Sequence, residues 1–153
     1  MYQIDYADPR HPQIIELLRK SHRLMDELFP NETNSYLDLE SLLDDKVHFF
    51  AAKYKKNSNY VACGAFVLFN DYAEIKSMFV DPDYRGQRIG DAILTHMIGS
   101  LAKKSVSVVK LETGTLLESA LALYKKHGFN YCDAFADYTE NKYSLFMEKK
   151  LII

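Results

Sequence analysis

The chain has 153 residues, 48% hydrophobic and 26% charged, with a formal net charge of -2. That length predicts one domain with its own core, and the near-neutral charge without a basic cluster argues against nucleic acid as the main partner. No stretch approaches the apolar length of a membrane span, so no membrane partner is expected.

Cys63 and Cys132 fall within predicted strands. They read as buried reduced thiols, because no Cys/His cluster with ligand spacing accompanies them and the five histidines are scattered; no metal is expected. The opening Met1-Tyr2-Gln3-Ile4-Asp5 has no apolar signal region, which makes a cytoplasmic location the expectation.

In chain order, Tyr2 to Tyr6 alternates like a strand. Pro12 to Phe29 places Ile14, Leu17, Leu18, Leu24 and Leu28 at helical spacing, and Pro30 ends that helix. Ser35, with Asp38 three residues on, is an N-cap signature for a short helix to about Asp45. Val47 to Tyr54 and Tyr60 to Asn70 read as a hairpin around the polar turn Lys55 to Asn59. Ala73 to Val80 is the next strand, closed by Pro82. Arg88 to Lys104 carries Ile89, Ile93, Met97 and Leu101 on one helical face, with lysines at the end where the dipole favours them. Strands over Ser105 to Glu112, Phe129 to Phe135 and Tyr143 to Lys149 follow, with a helix from Ser119 that Gly128 ends. The order is β-α-α-β-β-β-α-β-α-β-β, without a repeat or a low-complexity tract.

Two segments carry chemistry. Arg85-Gly86-Gln87-Arg88-Ile89-Gly90-Asp91 stands between the strand ending Met78-Phe79-Val80 and a long helix. A strand that breaks into a glycine-flanked turn and opens a helix presents unpaired backbone N-H groups and the positive end of a helix dipole, which together cradle a diphosphate. The run lacks Gly-x-x-x-x-Gly-Lys-Ser/Thr and Gly-x-Gly-x-x-Gly, so neither a nucleoside triphosphate loop nor a dinucleotide fold is indicated. The run resembles motif A of the GNAT acyltransferases, Gln/Arg-x-x-Gly-x-Gly/Ala, with Arg85 first, Gly90 last and Arg88 where the pattern has glycine. The second segment, Ser119 to Phe129, resembles the family's Ala-x-x-Leu-Tyr-x-x-x-Gly-Phe, with Ala120, Leu123, Tyr124, Gly128 and Phe129 in register. Leu117 stands where the family often has an asparagine on the cofactor arm. The likeness, which covers Ala73 to Phe129, is to small bacterial members of the superfamily.

This resemblance implies an α/β (α+β) GNAT fold: a central mixed, mostly antiparallel sheet of about seven strands with helices on both faces. It implies acetyl-CoA as acyl donor, bound by Arg85, Gly86, Gln87, Arg88, Ile89, Gly90 and Asp91, by Leu117 and Tyr124, and by backbone groups of Met78, Phe79 and Val80. Those strand groups would pair with the pantetheine arm, and one N-H would face the thioester carbonyl. An amine has a pKa of about 10 and a thiol about 8.5, so acyl transfer between them needs a base more than an acid. Glu74, in an Ala-Glu-Ile match to histone acetyltransferases of the superfamily, is the base candidate. Its other reading is a surface charge paired with Lys76. Strand alternation puts Glu74 on one face with Lys76, Met78 and Val80, unless a bulge intervenes. Tyr124 is the candidate acid for the leaving thiolate, against a plain core tyrosine.

The acceptor side is less defined. Asp26 to Asp45 holds seven carboxylates and no Lys or Arg, which would suit a cationic amine or simply a solvated helix face. His22, Tyr138, Asn141 and Tyr143 are candidate acceptor contacts. The expected activity is transfer of an acetyl group to a primary amine of a small molecule or amino acid. A protein or peptide acceptor, and a non-catalytic acyl-CoA-binding regulatory module, are the alternatives. The apolar Leu151-Ile152-Ile153 end leaves a homodimer open.

Overall fold

In the structure, a computed structural model, residues 1–30 and 38–151 are described. The elements are β1 (Tyr2–Tyr6), α1 (Pro12–Leu28), α2 (Leu39–Leu42), β2 (Val47–Tyr54), β3 (Asn59–Leu68), β4 (Ala73–Val80), a short 3-10 turn Pro82–Tyr84, α3 (Ile89–Lys103), β5 (Val108–Gly114), α4 (Glu118–Lys126), β6 (Asn130–Tyr131) and β7 (Ser144–Lys150). The strands form one seven-stranded sheet in the order β1-β2-β3-β4-β5-β7-β6, antiparallel at every pair except β4–β5, which is the mixed, mostly antiparallel sheet that the resemblance implies.

Helices cover both faces because the central strands are apolar on both. On one face Ile89, Ile93, Leu94, Met97 and Leu101 of α3 pack with Phe50, Phe66, Ile75 and Leu111. On the other, Ile14, Leu17 and Leu18 of α1, with Leu42 of α2, cover Phe49, Ala51, Cys63 and Ala65. Pro12 opens α1 and the His11 ring accepts from the Gln13 N-H at 3.1 Å. Asp38 caps α2, its carboxylate accepting from Ser41 N-H at 2.8 Å, while Ser35 of the predicted cap lies outside the described residues. Glu32 of the acidic run and the terminal Ile152 and Ile153 also lie outside them; Leu151 packs against the core.

Two local features open the sheet. Along β4 the pairing with β3 slips between Cys63 and Ala65, and Ser77 sits at φ 58. This bulge sets Ser77 and Met78 against the single residue Gly64. A Cβ on Gly64 would lie 2.6 Å from the Met78 sulfur and 3.0 Å from side-chain carbons of Ile93 and Met97, so the bulge needs a glycine here. The bulge also corrects the facing expected from simple alternation. Glu74 and Lys76 share a face with Phe79, while Met78 and Val80 turn to the opposite face and pack beneath α3. The second feature is the parallel ladder, which joins β4 to β5 only from Ala73–Val109 to Ile75–Leu111. Beyond Ile75 the two strands part and leave a wedge.

The largest departures from the expected strand limits are in β5 and β6; β3 and β7 differ from expectation by one or two residues at their ends. The strand predicted from Ser105 begins at Val108, because Ser105 is left-handed at φ 62 and the N-H groups of Ser105 and Val106 still bond to the end of α3. It also runs on to Gly114, which brings Glu112 inside it. The strand predicted over Phe129 to Phe135 shrinks to Asn130–Tyr131. Cys132 N-H still bonds to Phe146 O at 2.9 Å, but Ala134 N-H turns to the Glu140 carboxylate, and Phe135 folds onto Phe146 and Tyr138. Cys132 is therefore half-buried outside a strand, whereas Cys63 is buried in β3 as expected, its thiol pushed up to about 12 by burial.

Candidate active site

The wedge between β4 and β5 opens into a cavity of ≈ 750 Å3 that α1, α3, α4 and the Tyr84–Asp91 segment wall. Its loop is set by backbone geometry. Asp81 caps the 3-10 turn through Asp83 N-H at 2.9 Å and holds Lys20 of α1 at 2.9 Å. Gly86 then turns at φ 79 and Arg88 at φ 62, ψ 25, both left-handed. Arg88, where the motif has glycine, thus takes a left-handed conformation that glycine adopts without strain.

Side chains cap α1, α2 and the 3-10 turn, but neither α3, beginning after Arg88, nor α4, beginning after Leu117, has a side-chain cap. Both of these open N-termini line the cavity. Free first-turn N-H groups with the dipole behind them form an anion site without further help. Arg85, Gly86, Arg88, Ile89, Gly90, Asp91 and Leu117 all line it, as do Met78, Phe79, Val80 and Tyr124. Arg85 reaches back, its Nε donating to Val80 O at 3.1 Å and its guanidinium 5.5 Å from the Phe79 ring centre. Gln87 is outside the lining and accepts from the Tyr2 hydroxyl. Asp91 places a carboxylate beside an anion site, but Lys126 Nζ and His127 Nε2 meet it at 2.9 Å each. The Lys126 hydrogen bond, then that of His127, holds its pKa below the usual carboxylate value.

Tyr124 lies in the last turn of α4. Phe129 N-H bonds to Tyr124 O and Gly128 N-H to Lys125 O, each at 3.0 Å, with Gly128 at φ 87. This Schellman closure requires a residue at ease in the left-handed region, and it packs Phe129 edge-on against Tyr124. Tyr124 is 6% exposed, and its hydroxyl has no hydrogen-bond partner among the described residues. Burial, and secondarily the charge of Glu112, pushes its pKa well above the usual tyrosine value, so the phenol stays protonated.

A buried polar cluster sits on the sheet face beside the wedge. Glu74 is 5% exposed; the Tyr138 hydroxyl donates to its Oε2 at 2.6 Å, and Lys76 Nζ lies 3.4 Å from the same oxygen. Lys76 also donates to the Tyr138 oxygen at 2.6 Å. The pairing of Glu74 with Lys76 is thus present, but as an interior contact and not a surface one. Tyr138 is raised by burial and by the Glu74 charge.

Glu112, which sequence reasoning passed over, stands on β5 next to this cluster, and neither it nor Glu74 is among the described residues lining the cavity. Burial raises its pKa, with the neighbouring Ser144 hydroxyl opposing, and both Lys76 and Glu74 act on it. A basic-shifted carboxylate within electrostatic reach of Tyr124 is a base candidate alongside Glu74. The available signal was the alternation Lys110, Glu112 against Val109, Leu111 in an otherwise apolar strand.

The four acceptor candidates sit elsewhere. Tyr138 is bonded to Glu74; Asn141 donates to Thr139 O and Ser144 Oγ and accepts from Tyr143 N-H. Tyr143 stands edge-on to Phe29 at 6.3 Å. His22 is half-buried on α1, its pKa lowered by burial against the opposing charges of Asp26 and Asp38. None of the four is among the described residues lining the cavity. The six described carboxylates of the acidic run are exposed and also outside it, which is the solvated-face reading.

No helix among the described residues is long and apolar enough to cross a membrane. The profile of the Acetyltransferase (GNAT) family matches residues 11–129. An IAA acetyltransferase of Azospirillum brasilense is 34% identical over 94% of this chain and 94% of its own. The structure described as an acyl-CoA N-acyltransferase from Klebsiella pneumoniae superposes with a TM-score of 0.83 at 29% identity, covering 99% of both chains. PaiA N-acetyltransferase of Thermoplasma acidophilum, solved in complex with coenzyme A, shares the fold with a TM-score of 0.76 at 18% identity over 99% of both chains. With the two open helix ends and the split sheet already in place, the sequence match over most of its length makes this chain a member of the GNAT acetyltransferase family, the acyl-CoA N-acyltransferases.

Proposed function

We propose that the protein transfers an acetyl group from acetyl-CoA to the primary amine of a small molecule. The observation that carries this reading is that two uncapped helix N-termini and Tyr124 line one cavity along Met78 to Val80, past the point where β4 stops pairing with β5. The coenzyme A held by PaiA, a protein of the same fold, supports the choice of donor.

Acetyl-CoA supplies a thioester whose carbonyl carbon accepts the amine. The N-H groups opening α3, with Arg85 and Arg88, hold its diphosphate. Backbone groups of Met78 to Val80, unpaired toward β5, align the arm and stabilise negative charge developing at the carbonyl oxygen. Glu112, or Glu74 once released from Tyr138, takes a proton from the acceptor ammonium. The C-N bond then forms and the C-S bond breaks. Tyr124 donates its proton to the departing sulfur and regains one from the acetylated nitrogen. Leu117 adds an apolar contact to the arm.

The test is thiol release from acetyl-CoA with pooled amines, amino acids and short peptides, combined with mass detection of acetylated product. Product in a small-molecule pool is the expected result. Product with peptides alone would replace the acceptor class, and acetyl-CoA binding without product in any pool would favour a regulatory module.

A further inference from the structure

The charge of the cavity is segregated along its length. Among its described lining residues the charged ones are Arg85, Arg88, Asp91, Glu118 and Lys126, all on the loop, α3 or α4. The opposite wall is built by Ser21, Leu24, Met25 and Leu28 of α1, with Leu116 at the rim, and carries no charge. Those four α1 positions follow i, i+3, i+4, i+7, one face of the last two turns. Earlier on α1 the residues that bind the sheet are Ile14, Leu17 and Leu18, which are fully or nearly fully buried. Leu24 still touches that core, Met25 and Leu28 continue the apolar character past it, all three are only half-buried, and Leu116 is 56% exposed. Their common neighbour is the cavity.

Resting on the acetyl-transfer reading above, we infer that the acceptor is a primary amine on an apolar body, an aromatic or branched aliphatic amine, whose body seats against Leu24, Met25, Leu28 and Leu116. Apolar surface buried there is favourable roughly in proportion to its area. The second ammonium of a polyamine would face this wall unpaired, and the hydroxyls of an amino-sugar would lose water without gaining partners. The same wall leaves the cofactor end untouched, so acceptor choice and acetyl-CoA affinity are separable.

The experiment compares initial rates of thiol release by the full chain at fixed acetyl-CoA with 2-phenylethylamine, isoamylamine, putrescine and glucosamine. The expected result is kcat/KM at least about tenfold higher for the two apolar amines, the scale on which apolar pockets discriminate. Met25→Asp, and separately the rim variant Leu116→Asp, should lower kcat/KM for the apolar amines about tenfold while KM for acetyl-CoA holds. A preference for putrescine or glucosamine, or an equal loss for all four amines in both variants, would overturn this acceptor class and leave acetyl transfer standing. No turnover with any amine would overturn acetyl transfer to small amines, and this inference with it.

Discussion

Arg88→Gly separates what the side chain of the cofactor loop does from what its backbone does. Arg88 stands at φ 62, ψ 25 immediately before α3. For a residue with a Cβ this region costs roughly 1–2 kcal/mol. Glycine removes that cost but gives back about 0.5–1 kcal/mol in backbone entropy. The balance is a stability gain between about 0 and 1.5 kcal/mol, or a rise in Tm of up to about 6 °C for a chain of this size. Cofactor binding should move the other way. A charge-assisted hydrogen bond is worth about 1.5–3 kcal/mol, which at 1.4 kcal/mol per tenfold predicts KM for acetyl-CoA about 10- to 100-fold higher. Differential scanning calorimetry and initial-rate kinetics on one preparation read both effects. If the variant binds acetyl-CoA as tightly as the wild type or more tightly, the guanidinium has no part in holding the diphosphate.

Glu112→Gln should cut turnover about 10²-fold or more and flatten the acidic limb of the pH–rate profile, if Glu112 is the base; a wild-type profile in the variant would leave Glu74 as the carboxylate in play. The same substitution bears on stability. Because burial raises the folded pKa of Glu112, its contribution is present in acid and lost as pH rises through that folded value. The Gln variant should therefore gain Tm relative to wild type as pH is raised from below the ordinary glutamate value, about 4.3, and a constant difference would contradict the buried placement. Tyr138→Phe removes a 2.6 Å hydrogen bond to a buried carboxylate. The cost is about 1.5–3 kcal/mol, a drop of about 3–12 °C in Tm, and calorimetry showing no drop would mean the cluster is solvated. Gly64→Ala forces its Cβ to within 2.6 Å of the Met78 sulfur. Overpacking of about 1–3 kcal/mol should lower Tm and, by pushing Met78 into the cavity, raise KM for acetyl-CoA; a fall in Tm with KM unchanged would separate the bulge from the cofactor site.

The parts of this protein legible in the sequence are those written locally. Gly86 and Gly128 mark backbone turns that one residue decides, so the cofactor loop and the α4 end could be placed from neighbouring letters alone. The element order followed from periodicity for the same reason. The β4 bulge depends on Gly64, thirteen residues away, and on α3 side chains packing over it, which alternation within β4 cannot register. In the cluster of Glu74, Lys76, Glu112 and Tyr138 only Glu74 and Lys76 are linked by strand spacing; Glu112 comes from β5 and Tyr138 from the loop before β7, which no local spacing joins to them. Cys132 and Phe135 looked like strand residues because apolar and polar letters alternate there. The Glu140 carboxylate takes the Ala134 N-H instead, and the strand ends.

The most direct measurement of the central claim sets wild type beside Tyr124→Phe at saturating acetyl-CoA, with an amine that wild type acetylates. Calorimetric titration gives acetyl-CoA affinity and thiol release gives turnover. The account predicts equal affinity and turnover lower by about 10²-fold, the scale of a lost general acid. Equal turnover in the two proteins would contradict it, and would make Tyr124 a core tyrosine.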